Sequence, residues 1–187
     1  MILTGTKIKE EIKNGNICIK PFCLDQVNPN SYNYRLGSTI KVFDKFDGSK
    51  AIFKEVRIPK TGYILEPRKM YLATTKEVIG SLKYAMSLIG RSSMGRYGLF
   101  LQVSANLGHT TSKHKWTLEI VAVLPIKIYP GMIIGQVSFW KNYGVVKKYT
   151  GKYVSWDSRL DSLDPKIKRK AKLSLSKLTR KCIKKEK

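Results

Sequence analysis

The chain has 187 residues, 42% of them hydrophobic, which is enough for one domain with a substantial core. Its 36 Lys and Arg against 13 Asp and Glu give a net charge of +23, which favours anionic partners such as nucleotides or nucleic acid. No apolar run approaches the roughly 18 residues of a membrane span. We also expect no signal peptide, because residues 7–13 are charged, so the sequence predicts a cytoplasmic protein without membrane contact.

Short elements separated by closely spaced turns follow one another along the chain. The pattern predicts a helix over 4–14, because Ile8 and Ile12 lie four residues apart and Gly15 can end it. A polar loop is expected over 44–50 and a helical turn over 77–82. Strands are predicted over 16–22, 32–43, 51–58, 63–65, 70–74, 116–124, 125–129 and 133–140. Many short strands with little helix predict an all-β sandwich or a barrel-like jelly roll.

Residues 90–96, with the sequence GRSSMGR, combine glycines, hydroxyls and guanidinium groups in one turn. Glycines allow backbone N–H groups to point toward an anion, serine hydroxyls donate hydrogen bonds, and arginine offers a planar fork to phosphate oxygens. The turn is not a P-loop, because the Gly-Lys-Ser/Thr ending is absent. It is either a cradle for a phosphorylated small molecule or an ordinary basic surface turn.

An apolar run over 99–103 and a polar loop over 104–115 lead to a strand that carries one acid, Glu119. Strand alternation puts Trp116 and Leu118 on one face and Thr117 and Glu119 on the other. No other charge lies between Trp116 and residue 124. We therefore expect Glu119 to be a buried acid that is paired or partly desolvated; the alternative is a glutamate on a solvated sheet face.

The cysteines and histidines do not form a metal-binding pattern. Cys18 and Cys23 have four residues between them, and neither His109 nor His114 lies in an H-x-E motif, so we expect no zinc site. With Cys182 the chain has three widely spaced cysteines, which fits a reducing compartment.

The last segment differs in composition from the rest. Residues 165–187 hold eleven Lys or Arg and one Glu, and Asp164 with Pro165 is a good start for a helix. We predict a β domain over 1–157 and a basic, helical extension over 158–187. The extension is expected to dock on the domain, to contact a polyanion, or to be a solvated appendage.

Five ordered motifs carry a resemblance to a known family. They are SYNYRLG at 31–37, GRSSMGRYG at 90–98, WTLEI at 116–120, YPGM at 129–132 followed by Gly135-Gln136, and Tyr149-x-Gly-Lys-Tyr153. In their order and spacing the chain resembles the dCTP deaminases, which belong with the trimeric dUTPases. The resemblance covers the chain from the N-terminal helix to about residue 157.

The resemblance implies a mainly β, distorted barrel or jelly roll of the dUTPase-like type, and a homotrimer with sites at subunit interfaces. It implies conversion of dCTP to dUTP and ammonia without zinc, with Mg²⁺ bound through the triphosphate. Two alternatives stay open: a dUTPase or bifunctional enzyme that ends at dUMP, and an inactive relative that binds nucleotides or nucleic acid.

The resemblance also implies roles for individual residues. Glu119 would activate the attacking water, with Ser92 and Arg96 holding the water and the glutamate. His109 replaces an aspartate that contacts the deoxyribose and serves hydrolysis in related dUTPases, which favours dUTP as the final product. The implied substrate contacts are Arg91, Ser92, Ser93, Met94, Gly95, Arg96, His109, Thr117, Leu118, Glu119, Gln136, Tyr149 and Lys152.

Overall fold

The computed structural model describes residues 1–48, 50–102 and 105–149, with residue 50 described by its backbone alone. Two α-helices are present there, α1 (Gly5–Lys13) and α2 (Ser92–Arg96), and a 3₁₀ turn covers Leu24–Gln26. The strands are β1 (Ile17–Lys20), β2 (Tyr32–Asp47), β3 (Lys50–Arg57), β4 (Tyr63–Leu65), β5 (Lys69–Ser81), β6 (Tyr84–Gly90), β7 (Leu99–Leu101), β8 (Leu107–Gly108), β9 (Lys113–Ala122), β10 (Ile126–Ile128) and β11 (Ile133–Lys141). In this part of the chain no helix combines the length and apolarity needed to cross a membrane.

The N-terminal helix forms where the sequence predicts it. The Thr4 hydroxyl accepts a hydrogen bond from the N–H of Lys7, which satisfies one of the free donors of the first turn. Gly15, at φ +75°, adopts the left-handed conformation that ends the helix. Ile8 is fully buried, so α1 packs one face on the sheet.

The main sheet runs in the order β7-β9-β5-β2-β11-β6-β8, with β1 added on β5 and β3 on β2, while β10 and β4 form a separate pair. All pairings are antiparallel. A Cβ placed on Gly90 of β6 would lie 3.6 Å from Cβ of Leu101 in β7, although these strands are far apart in the sheet order. The sheet therefore curls until β6 approaches β7, which confirms the mainly β, barrel-like fold.

The hairpin of β2 and β3 corrects the polar loop predicted over 44–50. β2 continues to Asp47 and β3 begins at Lys50, so most of this segment is strand. Pairing of β2 with β5 ends at Val42 and Tyr71, so the hairpin beyond that point is a two-stranded ribbon. Both faces of such a ribbon can meet water, so its polar sequence is compatible with strand.

The helical turn predicted over 77–82 is also wrong, because β5 continues to Ser81. Glu77 lies fully buried in this strand, where its carboxylate accepts hydrogen bonds from Nε of Arg35 (2.5 Å) and from the N–H of Arg35 (2.9 Å). The hydrogen bond to Glu77 raises the pKa of Arg35. The pairing of β5 with β9 shifts register between Thr74 and Val78, around the buried acid.

Gly135 in β11 gives a test of the packing in this curled sheet. A Cβ there would overlap the phenol ring of Tyr34, which is fully buried and donates its hydroxyl hydrogen to the carbonyl of Ile89 (3.0 Å). We expect Gly135→Ala to lower the free energy of unfolding by about 1–3 kcal/mol, the usual cost of overpacking. Chemical denaturation of the purified protein measures this difference.

Gly95→Ala is the matched control, because a Cβ on Gly95 would meet no atom within 4 Å and Ala is the better helix former. Its free energy of unfolding is expected to stay within about 0.5 kcal/mol of the wild type or to rise. Equal stability of the two variants would contradict the close packing of β11 on Tyr34.

Candidate active site

Glu119 lies on the outer face of β9. Leu118 and Ile120 are fully buried, whereas Thr117, Glu119 and Val121 are half-buried, so the strand alternates as its sequence predicts. Within this chain Glu119 is half-buried and not fully buried, because its outer face is only partly covered, which agrees with the expectation of a partly desolvated acid. The curl of the sheet covers the inner face of β9, and the acid lies on the other face.

The neighbours of Glu119 on this outer face are largely apolar. In the register of β5 with β9, Leu72 lies opposite Glu119 and Met70 opposite Val121. Phe100 of β7 lies opposite Val121 on the other side. Met70 is 46% exposed and Phe100 is 44% exposed. The candidate acid therefore borders an apolar row across three strands that this chain leaves open to solvent.

Gln102 holds the main chain of Glu119 from the β7 side. Its N–H donates to the carbonyl of Glu119 (3.2 Å), and its side-chain Oε1 accepts from the N–H of Glu119 (2.8 Å). Gln102 has φ +53°, in the left-handed region that non-glycine residues rarely occupy. The sequence does not point to this residue, because Gln102 belongs to no recognisable motif.

Residues 91–96, the basic turn, join β6 to β7. Within the turn that the sequence predicts, Ser92–Arg96 form a short helix. The buried side chain of Met94 anchors it, whereas Ser92 and Arg96 are exposed and Arg91 is half-buried. The hydroxyl of Ser92 and the guanidinium of Arg96 are therefore accessible to an anion.

Gln136 lies against the beginning of the basic turn. It pairs with Ile89 in the register of β11 with β6, and its Nε2 donates to the carbonyl of Gly90 (3.5 Å). Its Oε1 accepts from the hydroxyl of Ser31 (2.8 Å). Gln136 is thus bonded to the residue that precedes the basic turn, although 40 positions separate Gln136 from Arg96 in the sequence.

His109 and Tyr149 meet in a third place. Their rings stack with centroids 4.7 Å apart and planes inclined by 23°. The N–H of Tyr149 donates to the hydroxyl of Thr111 (3.0 Å), which fixes the chain beside His109. A cavity of about 650 Å³ lies there, and its lining includes Ala85, Leu107, His109, Asn142, Lys148 and Tyr149. An aromatic pair beside a cavity of this size can hold a planar ring or a sugar.

A second cavity, of about 400 Å³, opens on the same outer sheet face as Glu119. It is lined by Leu72 and Thr74, the register partners of Glu119 and Thr117, and by three lysines, Lys41, Lys76 and Lys115. The sequence does not predict this cavity, because its lysines come from three different strands, β2, β5 and β9.

The contacts described above divide the candidate residues into three groups. Thr117, Leu118 and Glu119 lie on β9, the basic turn lies with Gln136, and His109 lies with Tyr149. The side chains of Leu118 and Met94 are buried, so any contact of theirs with a substrate is through the backbone. Lys152 and the predicted extension over 158–187 lie outside the described residues.

The described residues thus form a mainly β domain, a curled half-barrel sheet with a short N-terminal helix. A model of the family described as dCTP deaminase-like matches residues 2–142. The chain belongs to the dCTP deaminase-like family.

The chain is similar to several curated proteins named "dCTP deaminase, dUMP-forming". The protein of Clostridium acetobutylicum is 44% identical over 157 residues, which cover 82% of this chain and 90% of that protein. That of Hathewaya histolytica is 43% identical over 159 residues, covering 82% of this chain and 91% of that protein.

The fold is similar to that of the crystal structure of 2'-deoxycytidine 5'-triphosphate deaminase from Agrobacterium tumefaciens. The TM-score is 0.63 at 21% identity, over 78% of this chain and 49% of that chain. The chain therefore spans about half the length of that solved protein, and the similarity shows the shared fold.

Proposed function

We propose that this protein is an enzyme that removes the amino group of dCTP by hydrolysis. The observation that carries the proposal is the position of Glu119, a half-buried carboxylate on an open sheet face with its main chain held by Gln102. The relatives named dCTP deaminase, 41–44% identical over 157 to 159 residues, support the same activity.

In the proposed reaction, Glu119 takes a proton from a water molecule as the water oxygen attacks C4 of the cytosine ring. Glu119 passes that proton to N3, then takes the second water proton from the hydroxyl now on C4 and delivers it to the amino group. The C4–N bond then breaks, ammonia leaves, and the ring becomes uracil. General acid–base transfer by one carboxylate explains how a single acid on β9 serves both halves of the reaction. Ser92 and Arg96 are proposed to hold the water and the carboxylate.

The basic turn is the proposed site for the phosphates. Arg91 and Ser93 are half-buried and Ser92 is exposed, so their donors can reach phosphate oxygens without leaving the turn. Lys152 is proposed to face the triphosphate as well. Gln136, held between Ser31 and Gly90, is proposed to contact the nucleotide beside the turn.

Magnesium is proposed to arrive with the triphosphate. Among residues 1–48, 50–102 and 105–149, no group of three or more His, Cys, Asp or Glu is placed to hold an ion. A Mg²⁺ ion bound to phosphate oxygens and water needs no such group, so the residues present fit an ion carried by the substrate. When bound, it partly neutralises the phosphate charge.

A homotrimer would bring the three groups of site residues together. Met70, Val121 and Phe100 form an apolar row beside Glu119 that one chain leaves open, and burying it against another subunit is favourable. We propose that a neighbouring subunit covers this row and presents its basic turn to Glu119. The site would then lie at the subunit interface.

The proposed product is dUMP. His109 stands where related dUTPases have an aspartate that serves hydrolysis, and this replacement favours dUTP as the product. However, the similar proteins from Clostridium and Hathewaya are named dUMP-forming, and these names support the bifunctional alternative. The overall reaction is then dCTP with two water molecules giving dUMP, ammonia and pyrophosphate. If deamination ends at dUTP, no pyrophosphate is released.

Incubation with dCTP, CTP and dUTP in parallel, with Mg²⁺ present, tests the activity and the product. We expect ammonia, dUMP and pyrophosphate from dCTP in equal amounts, measured by chromatography and a coupled ammonia assay. Ammonia with dUTP alone would retain deamination and reject the proposed product. A folded trimer that binds dCTP but releases no ammonia would reject the enzyme and favour the inactive nucleotide-binding relative.

A further inference from the structure

The end of β7 has an unusual backbone. The strand stops at Leu101, and Gln102 follows at φ +53°, a conformation that costs energy for a residue with a side chain. Its N–H still donates to the carbonyl of Glu119 (3.2 Å), so Gln102 continues the pairing with β9 by one bond. The strained residue is therefore the direct partner of the proposed catalytic acid.

The side chain of Gln102 completes that pair. In an antiparallel sheet, two residues of a hydrogen-bonded pair exchange two backbone bonds. Here the N–H of Glu119 donates to Oε1 of the Gln102 side chain (2.8 Å). The side-chain amide of Gln102, which has a positive φ, thus takes the place of the backbone carbonyl as acceptor.

The same amide group also contacts the chain beyond the turn. Nε2 of Gln102 donates to the carbonyl of Ala105 (3.3 Å). One side chain thus links the backbone of Glu119 to the segment that returns toward β8. Both main-chain groups of Glu119 are therefore bonded by Gln102, although β7 ends one residue earlier, at Leu101.

We propose that Gln102 is a positioning residue for Glu119: its side-chain amide replaces a missing strand carbonyl and keeps the carboxylate aimed at the pyrimidine. This inference rests on the proposed deaminase function. The amide is bonded to the main chain of Glu119 and to that of Ala105, so Gln102 is proposed to act through Glu119. A displacement of the acid by about 1 Å can lower a rate by about 100-fold.

Three substitutions test whether Gln102 positions Glu119 or only ends strand β7. Gln102→Met keeps the length of the side chain but has no oxygen acceptor. Gln102→Asn keeps the amide and tolerates positive φ, but it is one methylene too short to reach the N–H of Glu119. Gln102→Glu keeps the acceptor oxygen, loses the donor to Ala105 and adds a charge.

We expect the Met and Asn variants to lose about 10- to 100-fold in kcat with dCTP, with KM within about threefold of the wild type. The kcat of Gln102→Glu is expected to exceed that of Gln102→Met by at least about tenfold. Its pH–rate profile should move to higher pH, because a second carboxylate disfavours the ionised form of its neighbour. A kcat of Gln102→Met within about threefold of the wild type, or a loss confined to KM, would overturn the inference.

Amide hydrogen exchange gives a measurement that does not depend on turnover. In the wild type, the N–H of Glu119 should exchange slowly, and Gln102→Met should accelerate it at least about tenfold relative to the N–H of Leu118. Unchanged exchange at Glu119 would reject the positioning role even if activity fell. If the wild type releases no ammonia, the proposed function fails, and exchange alone then decides whether Gln102 holds Glu119.

Discussion

Glu119→Gln is expected to reduce ammonia release from dCTP by at least about 100-fold, and by as much as about 10⁴-fold, the range typical of a lost general acid–base. The amide has nearly the size and shape of the carboxylate, but it cannot take a proton from water. Because the two backbone bonds with Gln102 remain and the side chain is only half-buried, the free energy of unfolding should change by less than about 1 kcal/mol. Steady-state kinetics and chemical denaturation measure the two quantities.

Glu66→Gln supplies the matched control for this substitution. Glu66 is an exposed acid next to β5, and its carboxylate pairs with Lys69 at 2.7 Å on the surface. We expect its variant to keep the kcat and KM of the wild type.

The dissociation constant of Glu119→Gln for dCTP, measured by calorimetry, should stay within about fivefold of the wild-type value, because the basic turn is unchanged. More than a tenth of wild-type activity in Glu119→Gln would contradict the proposed mechanism.

The parts of this fold that sequence could predict depend on short-range patterns. The period of two along β9 predicts which of its residues face the core, and the separate signals of Thr4 and Gly15 mark the ends of α1. The mainly β character follows from many such local patterns. Each of these predictions needs only residues that are neighbours in the chain.

The features that sequence did not predict depend on distant partners. The helical turn expected near Glu77 was wrong because the partner that buries this acid, Arg35, lies 42 positions away. The role of Gln102 depends on its positive φ and on a partner 17 positions away. The three site groups lie far apart in the sequence and come from different parts of the curled sheet. Sequence spacing therefore suggested the residues of the site but not which of them meet within one chain.

Glu77→Gln is expected to lower the free energy of unfolding by about 3 kcal/mol. The carboxylate is fully buried and accepts from both the guanidinium and the backbone N–H of Arg35. The amide is close in size, so no cavity forms, and the loss reflects a guanidinium left without its counter-charge. We place the effect at the low end of the range for buried pairs, because 20% of the Arg35 side chain remains exposed.

The control and a double variant make this expectation specific to the buried pair. Glu66→Gln breaks the exposed pair with Lys69 and should cost less than about 1 kcal/mol. Adding Arg35→Met to Glu77→Gln removes the orphaned charge, so the double variant should be more stable than the sum of the two single losses predicts. Chemical denaturation of the wild type, Glu77→Gln, Arg35→Met and the double variant measures the four free energies of unfolding that this comparison needs. If Glu77→Gln costs no more than Glu66→Gln, the buried pair does not hold the irregular part of β5 against β2. In that case the fully buried side chains of Tyr34 and Leu36 in β2 must hold this part of β5 by packing.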